Sequence, residues 1–254
     1  MPSLQPASIN RVGAQGPCIV ARQALPPRGR MTGRDEIVRD AVWARELDAD
    51  ELERARRGMI ERQFAKGAYV CHRGDTLDHW TGVVSGLIKI STISQTGKAM
   101  TFAGVGTGGW FGEGSVIKDE PRKYDVVAIR DTRLAMMPRA TFMWLFENST
   151  GFNRFLVRQL NERMGQFIAT IEHDRILGPK ARVARNLSWL FNPVLYPGTG
   201  DAIDISQEEL GLLVGLSRPV VNRCLRELEQ EGLLSVSHHH LRVHDLRRLQ
   251  AYDG

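Results

Sequence analysis

From Phe64 to Arg139 the chain consists of short runs rich in β-branched and aromatic residues, punctuated by Gly67, Gly74, Gly86, Gly97 and Gly106. The runs are GAYVCHRG, HWTGVVSGLIKIST, KAMTFAGV, YDVVAIRD and TRLAMMPR. Strands this short, separated by glycine turns, predict an antiparallel sandwich or barrel. The closed interior of such a fold has room for one small ligand.

The segments on either side are helical in pattern. Residues 35–60 carry Ile37, Val38, Ala41 and Val42, then Leu47 and Leu52, and the acidic residues 48–51 predict the start of a second short helix. From Thr150 to Leu177, Val157, Leu160, Met164, Phe167 and Ile171 are spaced 3, 4, 3 and 4 apart. That is a heptad seam, the spacing with which two helices pack along their length. It extends over about two heptads, so a helix buried within a monomer stays open as the alternative. Phe152, Phe155, Leu156 and Ile168 lie off the seam and are expected to dock the helix on the β segment. Gly165 inside the helix costs about 1 kcal/mol of propensity, which close helix approach or simple tolerance would explain.

Gly178-Pro179 then breaks the chain, and Lys180 to Phe191 is a further amphipathic helix. The organisation expected is a disordered basic tail over 1–34, an antiparallel β domain with flanking helices over 35–149, a long helix with the heptad seam over 150–177 and a further domain over 178–254. Met31 is an alternative start.

The net charge of +5 invites a nucleic-acid reading, but residues 1–34 alone supply Arg11, Arg22, Arg28, Arg30 and Arg34 with no acidic residue. The remainder sums to zero, so DNA binding has to rest on where charges sit. Cys18, Cys71 and Cys224 are odd in number and far apart, which fits neither a disulfide framework nor a zinc or iron–sulfur spacing. A reducing cytoplasm is expected. No apolar run reaches the roughly 18–20 residues of a bilayer span, and the N-terminus lacks a secretory pattern. No nucleophile with a base, no metal cluster and no Walker-type loop points to an enzyme.

The stretch ISQEELGLLVGLSRPVVNRCLRELEQEGLL, Ile205 to Leu234, reads as two short helices around a corner. Ser206 and Glu209 form a capping-box pattern, Leu210, Leu213 and Val214 form an inner face, Gly215 permits the turn, and Ser217 is expected to cap the second helix with Pro219 in its first turn. At about 100° per residue, Arg218, Asn222, Arg226, Pro219 and Arg223 share one arc, and Val220, Val221, Cys224, Leu225 and Leu228 share the other. A helix so divided, braced by a partner, can enter the major groove N-terminal end first. There Arg pairs guanine and Asn pairs adenine, while Ser206, Gln207 and Ser217 are placed for phosphates. The alternative is a solvated face of an all-helical domain. Leu233 to Val236 and Leu241 to Val243 read as a hairpin with the three histidines at its tip, which completes a winged helix. Adjacent loop histidines lack supporting ligands, so no metal site is expected.

This order of β runs, long helix, Gly-Pro break and winged helix resembles the CRP/FNR family of bacterial transcription regulators over roughly residues 40–250. The family's recognition helix reads Ser-Arg-x-x-Val-x-Arg, matched here from Ser217 to Arg223. The resemblance implies base contacts by Arg218 and Arg223. Pro219 stands where many members carry a cytosine-reading Glu, so a different half-site is expected. Cyclic-AMP-binding members open a short helix with Gly-Glu, whose amides face the phosphate and whose Glu holds the ribose. An Arg-Ser-Ala about ten residues on supplies countercharge. WFGEGS keeps Gly112 and Glu113, followed by Gly114 and Ser115, but the later segment reads Arg122-Lys123-Tyr124-Asp125, and Asp125 is expected to repel a phosphate. Phe167 and Ile168 replace the hydroxyl residues that face adenine. The effector is therefore left unidentified, with cyclic AMP disfavoured. An iron–sulfur cluster is not expected, and neither is heme despite Cys71-His72.

The expectation is an α+β homodimeric regulator that binds a near-palindromic double-stranded DNA site and partners RNA polymerase, without enzymatic activity or membrane attachment. The alternatives are a cyclic-AMP-responsive receptor, or a ligand-binding module whose winged helix contacts protein.

Overall fold

The structure is a computed structural model that describes residue 38 and residues 41–94, 96–97, 99–237 and 240–253. The basic tail expected over 1–34, and His238 and His239 of the wing, lie outside the described residues. The chain opens with a single 3-10 turn, Trp43–Glu46, and helix α1, Ala49–Gly58. Asp48 and Glu51 close a reciprocal capping box at 2.9 and 3.0 Å, so the acidic residues do begin a helix.

Two four-stranded antiparallel sheets follow. One has the order β1 (Ile60–Phe64), β8 (Thr132–Pro138), β3 (His79–Ser85), β6 (Trp110–Phe111). The other has the order β2 (Tyr69–Cys71), β7 (Asp125–Ala128), β4 (Leu87–Ile93), β5 (Ala99–Gly106). HWTGVVSGLIKIST divides into β3 and β4 at Gly86, whose φ is 106°. A side chain there would be strained and would lie 2.7 Å from the Asp131 carbonyl, so only glycine lets the chain change sheets at that point. Val83, Ile88, Val105, Phe111, Val126 and Leu134 fill the space between the sheets. In β4 and β7 alternate residues, Ile88 and Ile90, and Val126 and Ala128, enter this core, as the period of two requires.

A second core lies where helices cover one end of the roll. Helix α2, Glu113–Lys118, interrupts the strands; α3, Arg139–Asn148, and α4, Thr150–Ile176, follow β8. Trp43, Trp80, Trp110, Phe142, Phe152 and Phe155 interlock there, with the Trp80 and Trp110 rings 4.2 Å apart and Trp43 edge-on to Trp110 at 5.3 Å. Trp80→Ala is expected to cost about 3–5 kcal/mol of unfolding free energy in urea, since the neighbouring rings cannot collapse into the void.

Phe152, Phe155 and Leu156 anchor α4 on this core as expected. Ile168 does not: it is 60% exposed on α4, beyond the reach of the roll's apolar core. The seam residues Val157, Leu160, Met164, Phe167 and Ile171 are also exposed, so within one chain the apolar stripe is uncovered. A Cβ at Gly165 would lie at ordinary contact distance, 3.5 Å, from the Trp189 ring, so packing within one chain does not require glycine there.

The C-terminal part packs α5 (Pro179–Trp189), α6 (Gln207–Val214), α7 (Arg218–Gln230) and α8 (Leu246–Gln250) with a three-stranded sheet ordered β10 (Leu234–Ser237), β11 (His240–Val243), β9 (Ala202–Asp204). Val183, Leu187, Leu210, Val214, Val221, Leu225 and Leu228 form its core. The whole is an α+β chain: an antiparallel β-roll, a long helix and a winged helix-turn-helix. No helix among the described residues is long and apolar enough to cross a membrane.

Candidate nucleic-acid interface and effector cassette

Helix α7 divides as its periodicity demands. Val221, Cys224, Leu225 and Leu228 are buried. Arg218, Pro219, Arg223 and Arg226 are exposed, and Asn222 is half-buried at the edge of that face. The preceding helix holds it rigidly: Gly215 takes the left-handed conformation at the end of α6, with φ 65°, and Ser206 and Glu209 form the capping box at 3.1 and 2.8 Å.

One expectation about this interface needs correction. Ser217 sits at the N-cap of α7 but its hydroxyl makes no capping bond. A capping oxygen reaches the second or third N–H of the helix, and Pro219 in the second position has none. Gln207, expected among the phosphate-facing groups, accepts a 2.8 Å hydrogen bond at Oε1 from Asn222 Nδ2. That pairing crosses the two helices and fixes the Asn222 amide. The wing is a hairpin, but His240, read as part of its tip, lies within β11, with Nδ1 2.8 Å from Asp204 of β9.

The cassette assembles around Gly112, whose φ is 94°. A Cβ there would fall 2.2 Å from Nη1 of Arg122, so glycine is required both for the turn and for the close approach. Arg122 is 1% exposed and donates to the carbonyls of Gly112 at 2.9 Å and His79 at 3.0 Å. Glu113 is buried beside it, with Oε2 unpartnered. Tyr124 packs against the roll core, and burial raises its phenol above the ordinary value of 10.0. Asp125 is turned away, accepting from the Arg73 N–H at 2.9 Å, so it does not face the cassette as a repelling charge. Lys123 also points outward, 3.0 Å from Glu120. The structure brings Gly112, Glu113, Arg122 and Tyr124 together. Lys123 does not join them, and Phe167 and Ile168 are exposed on α4.

A cyclic nucleotide, which a fold of this kind implies, fits this cassette only in part. The unpartnered Glu113 oxygen offers an acceptor for a ligand hydroxyl. Each Arg122 Nη group, however, gives one N–H to a main-chain carbonyl, and Nε has no partner. Burial pushes the Cys71 thiol up to about 11 and raises Cys224, so neither is a reactive thiolate at neutral pH. Among the described residues no group of three or more His, Cys, Asp or Glu is arranged to hold a metal ion.

A contact with no sequence signature joins the two halves. Arg130, two residues beyond β7, grips Glu209 through Nε and Nη2, both at 2.8 Å, and Nη2 also donates to the Asp204 carbonyl at 2.8 Å. Burial alone would raise the Glu209 carboxyl. The Ser206 N–H and the Arg130 guanidinium outweigh burial and hold it below the ordinary 4.5. A depressed carboxyl contributes stability that is complete above its unfolded value and lost as pH falls through its folded value. The stability gap between the native chain and Glu209→Gln is therefore expected to be open at pH 7 and to close as the pH drops below 4.5, followed by urea unfolding at each pH.

A β-roll with a buried cassette, joined by a long helix to a winged helix-turn-helix with an exposed arginine face, defines a DNA-binding regulator with a ligand-type sensing fold. The family comparisons agree. Residues 61–149 match the cyclic nucleotide-binding domain and residues 181–252 match the Crp-like helix-turn-helix domain. The chain is 27% identical over 188 residues to the cyclic AMP receptor protein of Thermus thermophilus, covering 74% of this chain and 85% of that one. It is 25% identical over 219 residues to the CRP-like cAMP-activated global transcriptional regulator of Mycobacterium tuberculosis, covering 85% and 97%. FixK2 of Bradyrhizobium japonicum shares the fold with a TM-score of 0.62 at 17% identity, covering 77% of this chain and 98% of that one. The chain belongs to the CRP/FNR family of bacterial transcription regulators.

Proposed function

We propose that the protein is a homodimeric, sequence-specific DNA-binding regulator whose roll responds to an effector other than cyclic AMP. In this reading residues 35–149 sense, 150–177 dimerise and 178–254 read DNA. The single observation that carries it is the exposed face of Arg218, Arg223 and Arg226, with Asn222 half-buried at its edge, on a helix braced by α6, which ends at Gly215. The uncovered stripe of α4, with Val157 67% and Met164 57% exposed, supports pairing with a second copy. Two recognition helices then enter successive major grooves about one DNA turn apart, on a near-palindromic site. RNA polymerase is the further partner this role implies.

Selection from randomised duplex DNA, followed by affinity measurement across a salt series, tests the reading. A palindromic consensus with binding that falls steeply with salt is expected, because phosphate contacts release counterions. Binding that is indifferent to salt and to competitor DNA would leave a protein-contacting winged helix in its place.

The effector reading rests on the outward Lys123 and on the burial of Arg122, two of whose five N–H donors are held by main-chain carbonyls. A second reading, a cyclic-AMP receptor, is favoured by the unpartnered Glu113 oxygen and by relatives named for that ligand. Calorimetry with cyclic AMP at two temperatures decides between them. No heat at either temperature is expected, and micromolar binding would establish the second reading.

A further inference from the structure

Among the described residues, three contacts are among those that fasten the winged helix to the roll of its own chain. Leu87 and Ile129, both roll residues, are counted into the apolar core of the winged helix, and the Ile129 N–H donates to the Leu87 carbonyl at 2.9 Å. Tyr196, ahead of β9, donates its hydroxyl to the Gly104 carbonyl of β5 at 2.7 Å and accepts from Gln166 of α4 at 2.8 Å. Arg130 makes the bidentate grip on Glu209.

The third of these is unlike the others, because Glu209 is also the residue that caps α6. Its carboxylate takes the Ser206 N–H and both Arg130 nitrogens at once, so the cap of the helix-turn-helix is completed from the sensing domain. Arg130 is itself held firmly. Its carbonyl accepts the Thr132 hydroxyl at 2.8 Å, and Asp131 beside it accepts the Lys66 N–H at 2.8 Å. The chain leading back from Arg130 is β7, bonded on one edge to β2 and on the other to β4. Immediately before β7 stand Tyr124 and Arg122 of the cassette. One stiff strand thus has the cassette at its entrance and the grip at its exit, and none of the recognition face of α7 is used to make the joint.

We propose that Arg130 is a positioning residue for DNA binding, through which the roll sets the orientation of the helix-turn-helix by way of the Glu209 cap. This rests on the DNA-binding reading above. A bidentate guanidinium–carboxylate pair fixes direction as well as distance, and here it ties a rigid strand end to the first turn of α6. A shift at the cassette then moves the helix pair as a body.

Full-length Arg130→Met, Glu209→Gln and the double variant test it against the selected DNA site. Met keeps the aliphatic stem, and Gln still serves in a capping box, so each change removes the grip while sparing the fold. Each single variant is expected to lose about tenfold in specific affinity, within the range of coupling between sites. The double variant is expected to bind no more weakly than either single, because both remove one contact. The slope of log K against log salt stays unchanged, since Arg130 touches no phosphate. Without DNA, the α6 amides are expected to exchange faster in Arg130→Met. Full affinity in Arg130→Met, additive losses, or a slope shallower by about one overturns the proposal. If the native chain binds no site specifically, the DNA-binding reading fails by itself; unchanged α6 exchange in Arg130→Met then rejects the grip independently.

Discussion

Replacing Arg218 and Arg223 together by Ala is expected to abolish discrimination between the selected site and unrelated DNA. Both side chains stand free on the outer face of α7, and Arg223 approaches Glu227 only at 4.0 Å. Neither is spent inside the fold, so their removal leaves the buried face of Val221, Cys224, Leu225 and Leu228 intact. A good bidentate contact to guanine discriminates by roughly 1–3 kcal/mol. Losing two per protomer, four in a dimer, lowers specific affinity by about a thousandfold or more. The melting temperature should barely move. Fluorescence anisotropy with specific and scrambled duplexes checks the result, and retention of specific binding within a few fold would remove the arginine face from the mechanism.

The second large effect concerns the stripe on α4. Leu160→Glu with Met164→Glu places four like charges along the seam of a symmetric pair. Both residues are exposed in the single chain, and Glu is a good helix former, so the protomer is expected to fold as before. Sedimentation should show a monomer where the native chain sediments as a dimer. DNA affinity should collapse to that of one half-site, because the second recognition helix no longer arrives at high effective concentration. A variant that remains dimeric would place the interface elsewhere.

Much of this was legible in the sequence, for reasons that are local. Glycines marked the turns of the roll, and helical spacing separated the buried from the basic arc of α7. The strands that escaped reading are short or weakly patterned: β1 reads IERQF without clean alternation, β6 has two residues and β9 three. Periodicity also put Ile168 on the docking side of α4, because a helix that rests on a roll for only part of its length loses its buried side where the support ends. The Arg130–Glu209 grip spans 79 positions. Nothing near either residue marks it, since an ion pair between distant segments leaves no periodic trace. The cassette was visible in WFGEGS, but the commitment of Arg122 to two carbonyls depends on where β3 passes, which only the fold determines.

The aromatic cluster under α4 has an optical consequence. Trp110 opens the cassette strand and lies within ring contact of Trp80 and Trp43. Indoles this close exchange excitation, so the three respond as one chromophore attached to the sensing site. Trp189 sits apart, against Gly165 where α4 meets α5. With the fifth tryptophan, Trp144 under Arg54, replaced by Phe, the chain carries one native light source at its sensor and another near its hinge. Changes at the cassette and at the joint can be followed separately, with no label added.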